Sequence, residues 1–124
     1  MSLQSDAYYK AAKKNLKQAE EEYYKPAEDM VLHSACKGAL LAIVDYMKGF
    51  LVEHEKELQV DDTVVSLYYK CLEVNPNFKK LDIHQLNCKC DPIGTKSCTD
   101  MLRITKCFDI AKAMEHIVEQ KNPS

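Results

Sequence analysis

The chain has 124 residues, 46% of them hydrophobic and 29% charged, with a formal net charge of −2, six cysteines, three glycines and four prolines. That length fits one domain with its own core, and the apolar fraction is too high and the net charge too small for a disordered chain. A slightly acidic total removes any general electrostatic drive toward nucleic acid or an anionic membrane, so neither is expected as a partner.

Scarce glycine and proline, with long runs of Ala, Leu, Lys, Glu and Met, predict helices throughout. The first is predicted from about Ser5 to Tyr24, with Tyr8, Ala12, Leu16, Ala19 and Tyr23 on one face and Lys10, Lys13, Lys14, Lys17 and Glu21 around the other. A second helix is expected to open at Pro26, with Glu28 and Asp29 complementing the positive end of its dipole. "ALLAIV", Ala39 to Val44, is apolar all round, which marks this helix as central; its end is expected near Gly49 or about a turn later.

Asp61 or Asp62 is the expected cap of a third helix containing Val64, Leu67, Tyr68, Cys71 and Leu72, although "TVVSLYY" is also rich in strand-forming residues. In "NPNF", Asn75 reads as an N-cap and Pro76 as the first residue of a short fourth helix through Phe78 and Leu81 toward Leu86. "SCTD" at 97–100 resembles a capping box, and Met101, Ile104, Phe108, Ala111 and Val118 recur behind it at helical spacing to about Gln120. The predicted architecture is one all-α domain over 1–124, an antiparallel four- to five-helix bundle, with 1–4 and 121–124 expected to be disordered.

The N-terminal stretch has no apolar run suited to a secretory signal, and no run of about 18 apolar residues occurs anywhere, so a soluble cytoplasmic protein is expected. In a reducing cytoplasm six cysteines do not imply a disulfide framework. Cys36, Cys71 and Cys107 fall in apolar helical stretches and read as core thiols, with Cys107 sharing a face with Ile110, Met114 and Ile117.

"LNCKCDPIGTKSC", residues 86–98, raises a sharper question. His84, Cys88, Cys90 and Cys98 are candidate metal ligands of the Cys3His type, and a disulfide is a second possibility. The spacing departs from the usual ligand pairs two to four apart, since only Lys89 separates Cys88 from Cys90. Pro92 and Gly94 shape a turn, Asp91 can bond its backbone, and Ser97 or Thr99 can start the next helix. A helix-to-helix connection with incidental thiols is therefore the preferred reading, and no cofactor is expected.

Two further features are candidate binding groups. Asp45 follows the most apolar run of the central helix, and a buried carboxylate there needs a partner, expected to be a tyrosine hydroxyl or a lysine. Lys10, Lys13, Lys14 and Lys17 form a basic stripe that could meet phosphate, but Glu20 and Glu21 are placed to pair with Lys17, which favours a solvated face. His33 and His54 read as solvated or capping residues. No phosphate-cradling glycine loop, G-x-S-x-G elbow or complete H-E-x-x-H motif is present; "HEKEL" at 54–58 carries only half of the last.

Three stretches, "YYKAAKKNLKQAEEEYYKPAEDMVLHSACKGALLAIVDYM", "LEVNPNFKKLDIHQLN" and "CFDIAKAMEHIVEQ", together resemble a family of short, uncharacterised bacterial helical proteins related to the HEPN bundles. The resemblance spans nearly the whole chain and rests on helix lengths and small-apolar spacing. Many HEPN proteins are ribonucleases with an Arg followed, after four to six residues, by a His. Here the only arginine is Arg103, and Phe108, Asp109 and Ile110 stand where the His belongs, with His116 too far along. No catalytic residue carries over. The resemblance leaves the non-catalytic members, which bind nucleotides or dimerise with a second protein.

The expectation is thus a non-enzymatic binding or self-association module. A homodimer is anticipated from Tyr8, Tyr9, Tyr23, Tyr24 and Met114, more apolar surface on the first and last helices than a monomer need hide, and a protein partner is the other possibility. A metal or redox sensor built on residues 84–98 is the runner-up. A HEPN-like protein acting on RNA or nucleotides without the usual Arg/His motif comes third.

Overall fold

The computed structural model describes residues 3–23, 29–81 and 101–119, and the side chains of 4–21, 37–81 and 105–119. Their regular structure is helical, with no strand among the described residues: α1 (Leu3–Tyr23), α2 (Asp29–Glu53), α3 (Val64–Val74), a short 3-10 helix (Pro76–Lys80) and α4 (Met101–Glu119). Among them no helix is long and apolar enough to cross a membrane.

α1 starts two residues before the expected Ser5. Its inner face is Ser5, Tyr9, Ala12, Leu16 and Ala19, spaced four, three, four and three apart. Tyr8, expected on that face, is half-buried at its edge, because Tyr9 continues the same row and Tyr8 stands about 100° away from it. Ala12 and Ala19 are small enough to bring α1 close to α2. A β-carbon built on Gly38 would lie 2.8 Å from the Ala19 β-carbon, and one on Gly49 would lie 2.8 Å from the Tyr9 ring. Cross-contacts run Tyr9 with Glu53, Asn15 with Asp45 and Ala19 with Gly38, so numbering falls along α2 as it rises along α1.

α2 is central, touching α1, α3 and α4. Ala39, Ala42, Ile43, Tyr46, Met47, Phe50 and Leu51 are its buried residues, a broad face of paired positions. The apolar run is not covered on every side, however, since Leu41 is 44% exposed. The helix ends a turn beyond Gly49 in a reversal that uses no glycine. Glu55 adopts φ 59°, the Glu55 N–H bonds the Val52 carbonyl at 3.1 Å, and the Lys56 N–H bonds the Leu51 carbonyl at 2.8 Å, which is a Schellman closure.

The strand-prone "TVVSLYY" is helical. Its N-cap is Thr63, whose hydroxyl accepts from the Ser66 N–H at 3.1 Å while the Ser66 hydroxyl accepts from the Thr63 N–H at 2.8 Å. Asp62, expected as a cap, instead gathers the Gln59 N–H, the Ser66 hydroxyl and the Lys70 ammonium. The Lys70 contact, followed by the Gln59 bond, holds the Asp62 carboxyl down to about 2. Asn75 and Pro76 open the next element as expected, with the Asn75 side chain accepting from the Asn77 N–H at 3.0 Å. That element is a 3-10 turn ending at Lys80.

Phe78 is fully buried, 5.0 Å from the Phe50 ring between centroids. The buried Tyr68 hydroxyl lies 3.0 Å from the Phe78 carbonyl and 3.1 Å from that of Leu81, so its one proton closes the end of the turn. α4 seals the core with Cys107, Phe108, Ile110, Ala111, Met114 and Val118, the stripe expected from its spacing.

Candidate functional site

The sequence candidates do not converge on one place. Asp45 is half-buried on α2, and its carboxylate accepts from the Asn15 amide of α1 at 3.0 Å. The expected tyrosine or lysine partner is replaced by this asparagine. Tyr46, the next residue, projects about 100° away and serves another group. Burial raises the Asp45 carboxyl above its ordinary range, while the Asn15 bond and the charge of Lys48 act against that rise. The arrangement is a polar registration point between two helices.

Lys10, Lys13, Lys14 and Lys17 are exposed along α1. Lys13 turns to Glu119 of α4 at 2.6 Å, and Glu20 reaches Lys112 of α4 at 3.5 Å rather than Lys17. The stripe is therefore interrupted by ion pairs that fasten α1 to α4. Partly exposed pairs of this kind contribute about 0–1 kcal/mol each. The bond to Glu119, the larger cause, raises the Lys13 ammonium.

Two buried tyrosines each donate to a carboxylate on another helix. Tyr9 donates to Glu53 at 2.6 Å, and Tyr46 donates to Glu115 on α4. In both, burial first and the carboxylate second push the phenol above its ordinary value, so each is a fixed donor. Cys71 and Cys107 are free thiols, both buried as expected. The Cys71 thiol faces the Met47 carbonyl at 3.7 Å, and burial pushes it up to about 12, which removes it as a nucleophile at neutral pH.

His54 behaves as a capping residue, its Nδ1 2.9 Å from the Phe50 carbonyl. His84, Cys88, Cys90 and Cys98 lie outside the described residues, as do the side chains of His33 and Cys36 and the predicted 97–100 cap. Among the described residues no group of three or more His, Cys, Asp or Glu is placed to hold a metal ion.

The feature that sequence reasoning missed is the outer face of α3. Leu67, Tyr68 and Cys71 close its inner face, yet Val65 is 46% and Tyr69 50% exposed, one helical turn apart. Val60, in the loop before the helix, is fully exposed as well. The signal was present: once Val64, Leu67, Tyr68, Cys71 and Leu72 are assigned to the core side, Val65 and Tyr69 remain as apolar residues with nothing to cover them. The expected dimer surface fares differently. Tyr9 and Met114 are spent inside the monomer and Tyr8 is half-buried, while the side chains of Tyr23 and Tyr24 lie outside those described. Among the described side chains the large exposed apolar residues are Val65 and Tyr69 on α3, Val60 before it and Leu41 on α2, and none is on α1 or α4.

Comparison with protein-family models, with curated proteins and with solved structures finds no match to this chain.

Proposed function

We propose that this chain is a non-catalytic helical module, a HEPN-like antiparallel four- to five-helix bundle of the bacterial cytoplasm, that works by self-association through the outer face of α3. The observation that carries the reading is the exposure of Val65 and Tyr69 on a helix whose other side is closed by core. A half-exposed tyrosine beside a β-branched residue is the composition of an interface centre, where large amphipathic rings bring contact area at low entropic cost. One helix face repeated in a second copy makes a self-complementary two-fold contact.

Other features support the reading. The Tyr9 and Tyr46 phenols and the Cys71 thiol are protonated structural groups, and Arg103 lacks a histidine at the ribonuclease spacing.

Sedimentation velocity from low to high micromolar concentration tests it. The wild-type chain is expected to reach a dimer mass, and a Val65→Ser, Tyr69→Ser double variant to remain monomeric with an unchanged helical circular dichroism spectrum. A wild-type monomer throughout that range refutes the self-association.

A further inference from the structure

The 3-10 helix and the C-terminal half of α4 leave between them a cleft of about 410 Å³, within the size range of small-ligand sites. Leu81, Ala113 and Ile117 make an aliphatic floor, and Asn77, Lys80 and His116 stand around it. No carboxylate is among these lining residues, and among the described residues Lys80 has no ion-pair partner. Val65 and Tyr69 do not line it, so the cleft is independent of the α3 face.

The elements that hold it are well anchored. Phe78 fixes the 3-10 helix in the core, the Tyr68 hydroxyl closes its end, and Leu81 is buried directly after it. On the α4 side, Met114 and Val118 are buried and bracket the lining residues His116 and Ile117. The ammonium of Lys80 is thus carried on a fixed turn beside an apolar surface, and the amide of Asn77 offers a further hydrogen-bonding group.

We propose that this cleft binds a small amphipathic anion: a carboxylate carrying a short aliphatic body, with the acid group against Lys80 and the body over Leu81, Ala113 and Ile117. The charge of the rim selects the sign of the ligand, and the floor selects its apolar part. A single ammonium suits a single acid group better than a polyphosphate, which calls for several cations or a cradle of backbone N–H groups.

Decanoate is a suitable probe, titrated below its micellar concentration into the isotopically labelled full chain and followed by amide chemical shifts. Saturable shifts are expected at Leu81, Ala113 and Ile117. Decanol, with the same body and no charge, is expected to bind at least about tenfold more weakly, the scale of a charge-assisted hydrogen bond. Lys80 and Ala113 are exposed, so their substitution leaves the core intact. Lys80→Glu is expected to weaken decanoate at least about tenfold, and Ala113→Phe, which fills the cleft, to abolish the shifts. Absence of saturable shifts, shifts centred elsewhere, equal binding of decanol, or undiminished binding by either variant overturns the assignment.

Discussion

Tyr46 on α2 donates its phenolic proton to the carboxylate of Glu115 on α4, across the joint that closes the core. Tyr9 on α1 makes the equivalent contact to Glu53 on α2 at 2.6 Å, and the two rings approach with centroids 6.4 Å apart. Three helices are tied together by two phenol–carboxylate bonds whose rings are otherwise core. Each tyrosine places a large apolar surface inside and sends only its hydroxyl to the edge.

Both phenols keep their proton beyond the ordinary value of 10.0, because burial and then the neighbouring carboxylate oppose a phenolate. The unfolded chain releases these protons near that value while the native chain retains them, so native stability is full below about pH 10 and falls as pH rises above it. Denaturant titrations at several pH values should show this decline. Tyr46→Phe is expected to cost about 1–2 kcal/mol at neutral pH, from the lost bond and the carboxylate left behind, and to flatten the alkaline fall. Parallel pH profiles for variant and wild type above pH 10 would show that the phenol is not held in this way.

Asp45 gives a pH dependence confined to the acid side. Its folded carboxyl is raised above the ordinary value of 3.8, so between that value and the raised one the native state binds more protons than the unfolded state, and the penalty for ionised Asp45 is relieved as pH falls through this window. Asp45→Asn retains an amide partner for Asn15 and removes the charge. It is expected to match or exceed the wild-type melting temperature at pH 7 and to lose that advantage on acidification. Asn15→Ala strips the carboxylate of its bond and is expected to cost about 1 kcal/mol at neutral pH. A strongly destabilised Asp45→Asn at pH 7 contradicts the argument.

Much of the helical order was legible because it rests on local chemistry. Asn75 and Pro76 announce a helical turn whatever surrounds them, and the spacing of Cys107, Ile110, Met114 and Val118 points to one buried stripe. What escaped depends on partners distant in sequence. Whether Tyr8 or Tyr9 enters the core is decided by where α2 crosses α1, Asp45 finds Asn15 rather than a tyrosine, and Glu20 pairs with Lys112 instead of Lys17. The third helix shows a different limit: Thr63 and the neighbouring Asp62 are both capping residue types, and hydrogen bonds from Gln59 and Lys70 draw Asp62 into another role. The outer face of α3 was legible only by subtraction, since Val65 and Tyr69 stand out once Val64, Leu67, Tyr68, Cys71 and Leu72 are given to the core.

The end of α2 offers a stabilising substitution. Glu55 occupies a left-handed conformation, φ 59°, at the position of a Schellman closure where glycine is the usual residue. Its β-carbon is strained there, and its side chain is exposed. Glu55→Gly is expected to raise stability by about 0.5–1 kcal/mol in denaturant melts. A loss instead would mean that the Glu55 side chain contributes more than its backbone costs.

Gly38 tests the opposite case, a glycine kept for space. In the middle of a helix, Gly→Ala ordinarily adds about 1 kcal/mol of stability through propensity alone. At Gly38 the new β-carbon would stand 2.8 Å from the Ala19 β-carbon and 3.3 Å from the Asn15 carbonyl oxygen, neither of which is the end of a flexible side chain. The helices must separate, loosening the Asn15–Asp45 bond beside the contact. Gly38→Ala is therefore expected to be a net loss of about 1–2 kcal/mol. Ala19→Gly alone should cost about 1 kcal/mol by propensity, yet in the Gly38→Ala background it removes the clash, so the double variant should be more stable than the sum of the single losses by about 2–3 kcal/mol. Denaturant melts of the four proteins measure that coupling directly. Additive losses, or a Gly38→Ala variant more stable than wild type, would show that α1 and α2 do not meet at this closeness.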